Sequence, residues 1–305
     1  MLYRIESGKI LTKAVEYAGA DHCNLRCAGC SHMSPFLRPR LPAEEELARD
    51  MGRLATAMFA EEVRIVGGEP LLNPRIVPIL KAARVSGIAG RVVLATNGLL
   101  LHSMSDDFWA NVDELRLSLY PGARPTDRLV DQARRRAEES RTQLVISEYT
   151  SFRVTTTMEW QSSDAVTRMI FRTCKNAHLY HCHMVHAGWL HKCACPPYMN
   201  EFLGSMGQSG YNAERDGFDI HAATDLRKEL WDFLADTTPL DACHYCLGYA
   251  GERQTHHQLA AKDCRDPRSR PITRKTHLSK PSLMKESLMF FGRRATEALT
   301  GKQQW

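Results

Sequence analysis

The chain of 305 residues is 43% apolar and 25% charged, an ordinary balance for a folded globular protein that excludes wholesale disorder. No window approaches the roughly 18 apolar residues of a membrane span, and the N-terminal MLYRIESGKILTKAVEY lacks a long apolar core and a small-residue cleavage site, which reads as cytoplasmic. The net charge of +5 is uneven: residues 261–305 hold 11 Lys/Arg against 4 Asp/Glu and the preceding 260 sum to −2, unlike a uniformly basic nucleic-acid binder.

Short apolar runs predict strands at Ala14–Ala18, Glu62–Val66, Arg91–Ala95, Glu114–Leu119 and Gln143–Ser147, with a sixth at Phe152–Thr157. Helical patterns fall at Ala43–Phe59, Arg75–Val85, Asp106–Val112, Thr126–Glu139 and Ser163–Arg172. Strand–helix alternation argues for a parallel sheet covered by helices. Five or six such units are too few for an eight-stranded barrel, so the expected fold is α/β, a partial (β/α)6 TIM-like barrel with its chemistry at the C-terminal strand ends.

After about Asn176, HLYHCHMVHAGWLHKCACPPYM carries Cys, His, Gly and Pro too densely for a long helix or a regular sheet. A Gly-rich polar stretch follows, then a helix at Ala222–Ala235 and the CHYC pair. The expected domains are a barrel over 1–172, a small Cys-rich module over 173–265 and a basic tail over 266–305. The tail reads as solvated, with a little helix at SLMKESLMFFGRRATEAL; a share in binding an anionic or polyhydroxylated substrate is the alternative.

Ten cysteines in an intracellular chain read as metal ligation or redox chemistry rather than disulfides. Cys23, Cys27 and Cys30 lie near the start and the other seven between Cys174 and Cys264, which suggests two metal sites. Cys23, Cys27 and Cys30 follow the first strand with the spacing C-x3-C-x2-C. Three thiolates on one loop hold three irons of a [4Fe–4S] cube and leave the fourth open. The alternative is a structural zinc site completed by His22 or His32.

That spacing, its place after the first strand, GGEP at Gly67–Pro70 and the Thr96–Asn97–Gly98 turn together resemble the radical S-adenosylmethionine (SAM) superfamily. The resemblance covers roughly residues 14–160. It implies that Cys23, Cys27 and Cys30 bind a cluster whose open iron is chelated by SAM. Gly67, Gly68, Glu69 and Pro70 would form the loop that meets the methionine amine: glycines let carbonyls approach an ammonium and Glu69 adds charge. Thr96, Asn97, Gly98, Ser118 and Tyr120 would line the ribose and carboxylate side. One departure is Gly29, where the family often carries an aromatic residue beside its third cysteine.

Cys174–x13–Gly188–x4–Cys193, followed by Cys243–His–Tyr–Cys246, resembles the auxiliary module called SPASM or, when shortened, twitch. The shorter form implies a second [4Fe–4S] cluster on Cys174, Cys193, Cys243 and Cys246, with Cys195 able to replace Cys193. Five histidines in this region (His178, His181, His183, His186 and His191) bind zinc on one reading; on the other they line a substrate pocket or face solvent.

Under this resemblance SAM is cleaved to a 5′-deoxyadenosyl radical that takes hydrogen from a substrate carbon. Only 22 residues precede Cys23, so a peptide-binding leader module is not expected and peptide modification ranks third. The compact size resembles enzymes that epimerise or dehydrogenate sugars and aminocyclitols in antibiotic biosynthesis. The first expectation is a carbohydrate epimerase in which a spare thiol returns hydrogen, Cys264 before Cys195 and Cys182. The second is a dehydrogenase with the auxiliary cluster as electron acceptor. Expected partners are a sugar-containing small molecule, which Glu148, Tyr149 and Glu159 are placed to bind if they are more than surface residues, and an electron donor such as flavodoxin or ferredoxin. A non-catalytic iron–sulfur or zinc protein acting through its basic tail is the reading from another class.

Overall fold

The computed structural model describes residues 3–162, 164–265 and 271–300. Its strands are β1 (Arg4–Glu6), β2 (Lys9–Ala20), β3 (Met58–Gly67), β4 (Ala89–Thr96), β5 (Glu114–Leu119), β6 (Gln143–Glu148), β7 (Ser151–Arg153), β8 (His183–His186), β9 (Trp189–His191), β10 (Gly217–Asp219) and β11 (Arg253–Thr255). Its α-helices are α1 (Glu44–Leu54), α2 (Ile76–Val85), α3 (Asp106–Trp109), α4 (Asp127–Ser140), α5 (Asp164–Arg172), α6 (Lys175–His178), α7 (Cys195–Gly204), α8 (Leu226–Ala235), α9 (Ala261–Arg265), α10 (Arg274–His277) and α11 (Lys280–Thr300).

Strands β2 to β6 lie side by side in parallel, each return made by a helix-bearing crossover, and this is the expected α/β sheet. Val15, Tyr17, Val63, Ile65, Leu94 and Leu115 face α1 and α2 and bury against Leu47, Met51, Leu54, Ile79 and Leu80. Each such side chain contributes about 2 kcal/mol by leaving water. Because successive strand residues alternate faces, the intervening positions point the other way. There Glu16, Glu62 and Glu114, each nearly buried, meet Arg64, Arg91 and Arg116. Burial opposes ionisation of Glu62, but Arg64 and Arg116 outweigh it and hold the carboxyl below its ordinary range.

The sixth parallel strand is not Phe152–Thr157. It is β8, which sits on the opposite edge against β2, with Val15 beside His183 and Tyr17 beside Val185. The dense Cys/His segment thus forms regular sheet after all. Ala187 and Gly188, at φ 50° and 84°, make the left-handed two-residue turn that suits a hairpin, and β9 and β10 continue the sheet antiparallel. Of the expected sixth strand only Phe152 and Arg153 lie in a strand, β7, which pairs with β11 in a separate ribbon. The following backbone is spent on the CHYC loop instead: Thr157 N donates to Tyr245 O at 2.7 Å and Leu247 N to Thr155 O at 2.8 Å.

Two helix limits also differ. The expected Ala43–Phe59 helix stops at Leu54, because Met58 and Phe59 are needed opposite Ile10 and Leu11 in the sheet. The tail from Lys280 is a helix to Thr300, 21 residues long, fixed through the Lys175–Glu286 ion pair at 3.0 Å. Among the described residues no helix is long and apolar enough to cross a membrane.

Candidate functional site

Strand β2 ends at Ala20 and runs through Asp21–His22 into the first cysteine loop, while β3 ends beside it in GGEP. Gly68 N donates to Ala20 O at 2.7 Å and Glu69 N to His22 O at 3.0 Å. A Cβ at Gly67 would lie 2.2 Å from Ala20 O, and one at Gly68 2.0 Å from His22 O. Gly67 also has φ 117°, so the loop is closed to any larger residue. Pro70 then opens a short 3-10 turn over Pro70–Leu72.

The structure gives Glu69 another role than the one expected. Its side chain is 1% exposed, and its oxygens accept from Thr96 Oγ1 at 2.7 Å, Asn97 N at 2.8 Å and Leu71 N at 3.1 Å. Burial pushes its carboxyl up and those donors pull it down. Glu69 therefore clips the ends of β3 and β4 together. Asn97 extends the clip to the cysteine loop: its Nδ2 donates to Asn24 Oδ1 at 2.7 Å and reaches Cys23 Sγ at 3.8 Å.

Two further donors reach the loop's sulfurs, Leu25 N to Cys23 at 3.3 Å and Gln258 Nε2 to Cys27 at 3.2 Å. Burial pushes the Cys23 thiol up to about 12 and Cys27 to about 11, with these donors opposing the shift. Such a site disfavours bare thiolates at Cys23 and Cys27 and suits thiolates whose charge an iron group neutralises. Soft donors on one loop, N–H groups aimed at sulfur and a glycine cradle at the next strand end all fit a [4Fe–4S] cluster with SAM beside it. Cys23, Cys27 and Cys30 would hold the cluster, which supplies electrons to SAM.

Ser118 and Tyr120 close β5 on the same rim. Tyr120 is hydrogen-bonded to Ser118 and stacks on Tyr149 at 5.8 Å and on His256 at 5.1 Å. The Gly29 departure has a local cause: at φ 75° a Cβ there would meet Gln254 Nε2 at 3.0 Å and Phe152 Cβ at 3.7 Å. The β7–β11 ribbon fills that space.

A cavity of about 270 Å3 opens beside the loop, bounded by Ala28–Cys30, Met33 and Phe36, by Val154–Thr156 and Met158, and by Gln254, His257, Asp263 and His277. Among the described residues, Glu148, Tyr149 and Glu159 do not line it. Glu148 pairs with Arg124 at 3.4 Å, and Tyr149 is spent on the Tyr120 stack.

The cysteines expected to form a second group stand on three segments. Cys174 caps α6, Cys193 follows β9, Cys243 lies in the turn at Asp241–Tyr245 and Cys246 caps it. Asp216 fixes that turn by accepting from Asp241 N at 2.7 Å, Ala242 N at 2.6 Å and Tyr211 OH at 2.7 Å. Burial drives these thiols up, and mutual repulsion adds to it, with Cys195 sharing the repulsion of Cys246, Cys193 and Cys243. Cys182 stands by Arg64 at 3.6 Å, and Cys264 is half-buried on α9 next to the cavity-lining Asp263.

His178, His181, His183, His186 and His191 are buried or half-buried and are not among the cavity's described lining residues. His183 lies between Tyr3 OH at 3.0 Å and Lys192 O at 3.1 Å, His181 bonds Thr12, His191 bonds Asp216 O, and His186 pairs with Asp21 at 3.1 Å. They became core when their hairpin joined the sheet. Among the described residues no group of three or more His, Cys, Asp or Glu closes on a single-ion position. Gln258 and Asn24 went unnoticed in the sequence, where a lone amide 231 residues from Cys27 carries no signal.

Three cysteines and a glycine cradle thus stand at the first two strand ends of a parallel sheet. Residues 18–123 match the family model described as the Radical SAM superfamily. It is 42% identical over 105 residues to the GTP 3′,8-cyclase of Geobacter sulfurreducens, covering 32% of this chain and 31% of that protein. The corresponding figures for the Streptomyces coelicolor GTP 3′,8-cyclase are 33% over 103 residues, 32% and 30%. The chain spans about a third of the length of these curated relatives. Among solved structures, BtrN in complex with AdoMet and 2-DOIA matches at 16% identity and TM-score 0.46, over 79% of this chain and 95% of that one. The anSMEcpe structure with AdoMet and the Kp18Cys peptide matches at 11% and 0.48, over 95% and 100%.

Proposed function

We propose that the protein is a radical SAM oxidoreductase that dehydrogenates a small polyhydroxylated or amino-bearing substrate. When bound, a cluster on Cys23, Cys27 and Cys30 with SAM supplies the hydrogen-abstracting radical, and a second cluster on Cys174, Cys193, Cys243 and Cys246 supplies an electron acceptor. The observation that carries the choice is the placement of the spare thiols. Among the described residues none of Cys182, Cys195 and Cys264 lines the cavity from which a thiol would return hydrogen.

The chain's own residues act by binding and by excluding water. Met33, Phe36, Val154 and Met158 give the cavity dry walls, and Thr155, Thr156, Gln254, His257, Asp263 and His277 give it polar contacts for hydroxyl or amino groups. The relatives' name points to GTP as an alternative substrate. A cytoplasmic setting with flavodoxin or ferredoxin as electron donor belongs to the same reading.

Epimerisation is the second reading, favoured by Cys264 alone, since its neighbour Asp263 lines the cavity. Assays of the anaerobically reconstituted enzyme against sugars, aminocyclitols and GTP separate these. Dehydrogenation predicts a ketone product with Cys264→Ala at wild-type rate. Solvent deuterium in an epimerised product, lost in Cys264→Ala, would replace the first reading with the second.

A further inference from the structure

The first cysteine loop is not held by its own strand ends alone. Residues 256–259 run antiparallel to it, with Ala28 N donating to His257 O at 3.0 Å and Leu259 N to Arg26 O at 2.7 Å. Cys27 and Gln258 face each other as a bridge pair, and Arg26 Nε donates to Leu259 O at 3.1 Å. At the centre of this clasp one side chain makes two contacts: Gln258 Oε1 accepts from Arg26 N at 2.6 Å while Nε2 donates to Cys27 Sγ at 3.2 Å. The same Nε2 lies 3.3 Å from His256 Nε2, and His256 stacks on Tyr120 of the SAM-side rim. The carboxamide is thus fixed at both ends and tied to the rim of β5.

Both atoms of that amide have work that a leucine of similar size could not do. The oxygen satisfies a backbone N–H between two loop cysteines, and the nitrogen presents a proton to sulfur. An N–H directed at a cluster-bound thiolate withdraws electron density and makes the centre easier to reduce. We propose that Gln258 is a positioning residue for the first cluster, so that a segment lying after the second cysteine group sets how readily the first centre takes an electron. This rests on the reading of Cys23, Cys27 and Cys30 as cluster ligands. It assigns a role in that chemistry to a residue well outside residues 18–123.

The test is an EPR-monitored redox titration of the reconstituted full chain, following the signal that changes when SAM is added. In Gln258→Leu the midpoint of that signal shifts to lower potential, and iron is lost from this centre faster on dilution into chelator. Gln258→Glu keeps the acceptor for Arg26 N but replaces the proton donor by an anion. It folds as wild type and shifts the midpoint further in the same direction, which covers the case in which the leucine variant does not fold. Midpoints unchanged in Gln258→Glu, and in Gln258→Leu where it folds, overturn the role of Gln258 and leave the cluster reading standing. A wild-type protein with no SAM-responsive signal overturns both.

Discussion

Glu69 shows how one side chain ties sequence motif to site geometry. In the sequence it is the charged member of GGEP; in the fold it is a buried acceptor for three donors from two strand ends. Truncating it leaves the N–H groups of Asn97 and Leu71 without their partner in a dry place, and each such orphan costs about 1–3 kcal/mol. Glu69→Ala is therefore expected to lose about 3 kcal/mol of stability and, because Asn97 also holds Asn24, to weaken SAM binding. Glu69→Gln, which keeps one acceptor oxygen, loses less. Chemical denaturation and equilibrium SAM binding read the two effects, and an alanine variant as stable as wild type would show that the clip is dispensable. The motif was legible as a sequence, but the direction of its charge was not, because that depends on Thr96 and Asn97 arriving from another strand.

The hairpin of β8 and β9 is the element that sequence reasoning misjudged, and the reason is compositional. His183, Met184, Val185 and His186 do not alternate in polarity, since imidazoles take core positions when each ring nitrogen finds a partner. Here His183, Met184 and Val185 are all buried in succession, so the two-residue period carries no signal. Burial holds His183 at about 4, below its ordinary 6.5. The unfolded chain then binds the proton that the folded one refuses. The stabilisation is present above pH 6.5 and is lost as pH falls toward 4, at about 1.4 kcal/mol per pH unit. His183→Gln is expected to flatten the acid limb of a stability–pH curve by about one proton. An unchanged slope would mean that His183 is protonated in the fold. The strands read correctly, from Glu62–Val66 to Gln143–Ser147, are those whose apolar face meets α1, α2 or α4 and so keep a regular pattern.

At the scale of the molecule, local order was readable and the closure of the sheet was not. Spacing alone brought out Cys23, Cys27 and Cys30 because loop ligands are neighbours in the chain. The joining of β8 to β2, and of residues 256–259 to the cysteine loop, are long-range pairings of backbone that leave no local pattern. They also explain why the cavity lies where it does, between the first loop and the segments around Thr155 and His257. The hairpin carries Cys193, and the backbone of Thr155–Thr157 pairs with the loop of Cys243 and Cys246. The proposed function puts two iron–sulfur centres on the two cysteine groups, the first of them cleaving SAM. The most direct test is iron and sulfide per chain after anaerobic purification, in wild type and in Cys23→Ala/Cys27→Ala/Cys30→Ala. The account predicts about eight irons in the former and about four in the latter, two cubes and one. About four irons in wild type, or zinc in place of iron, would contradict it.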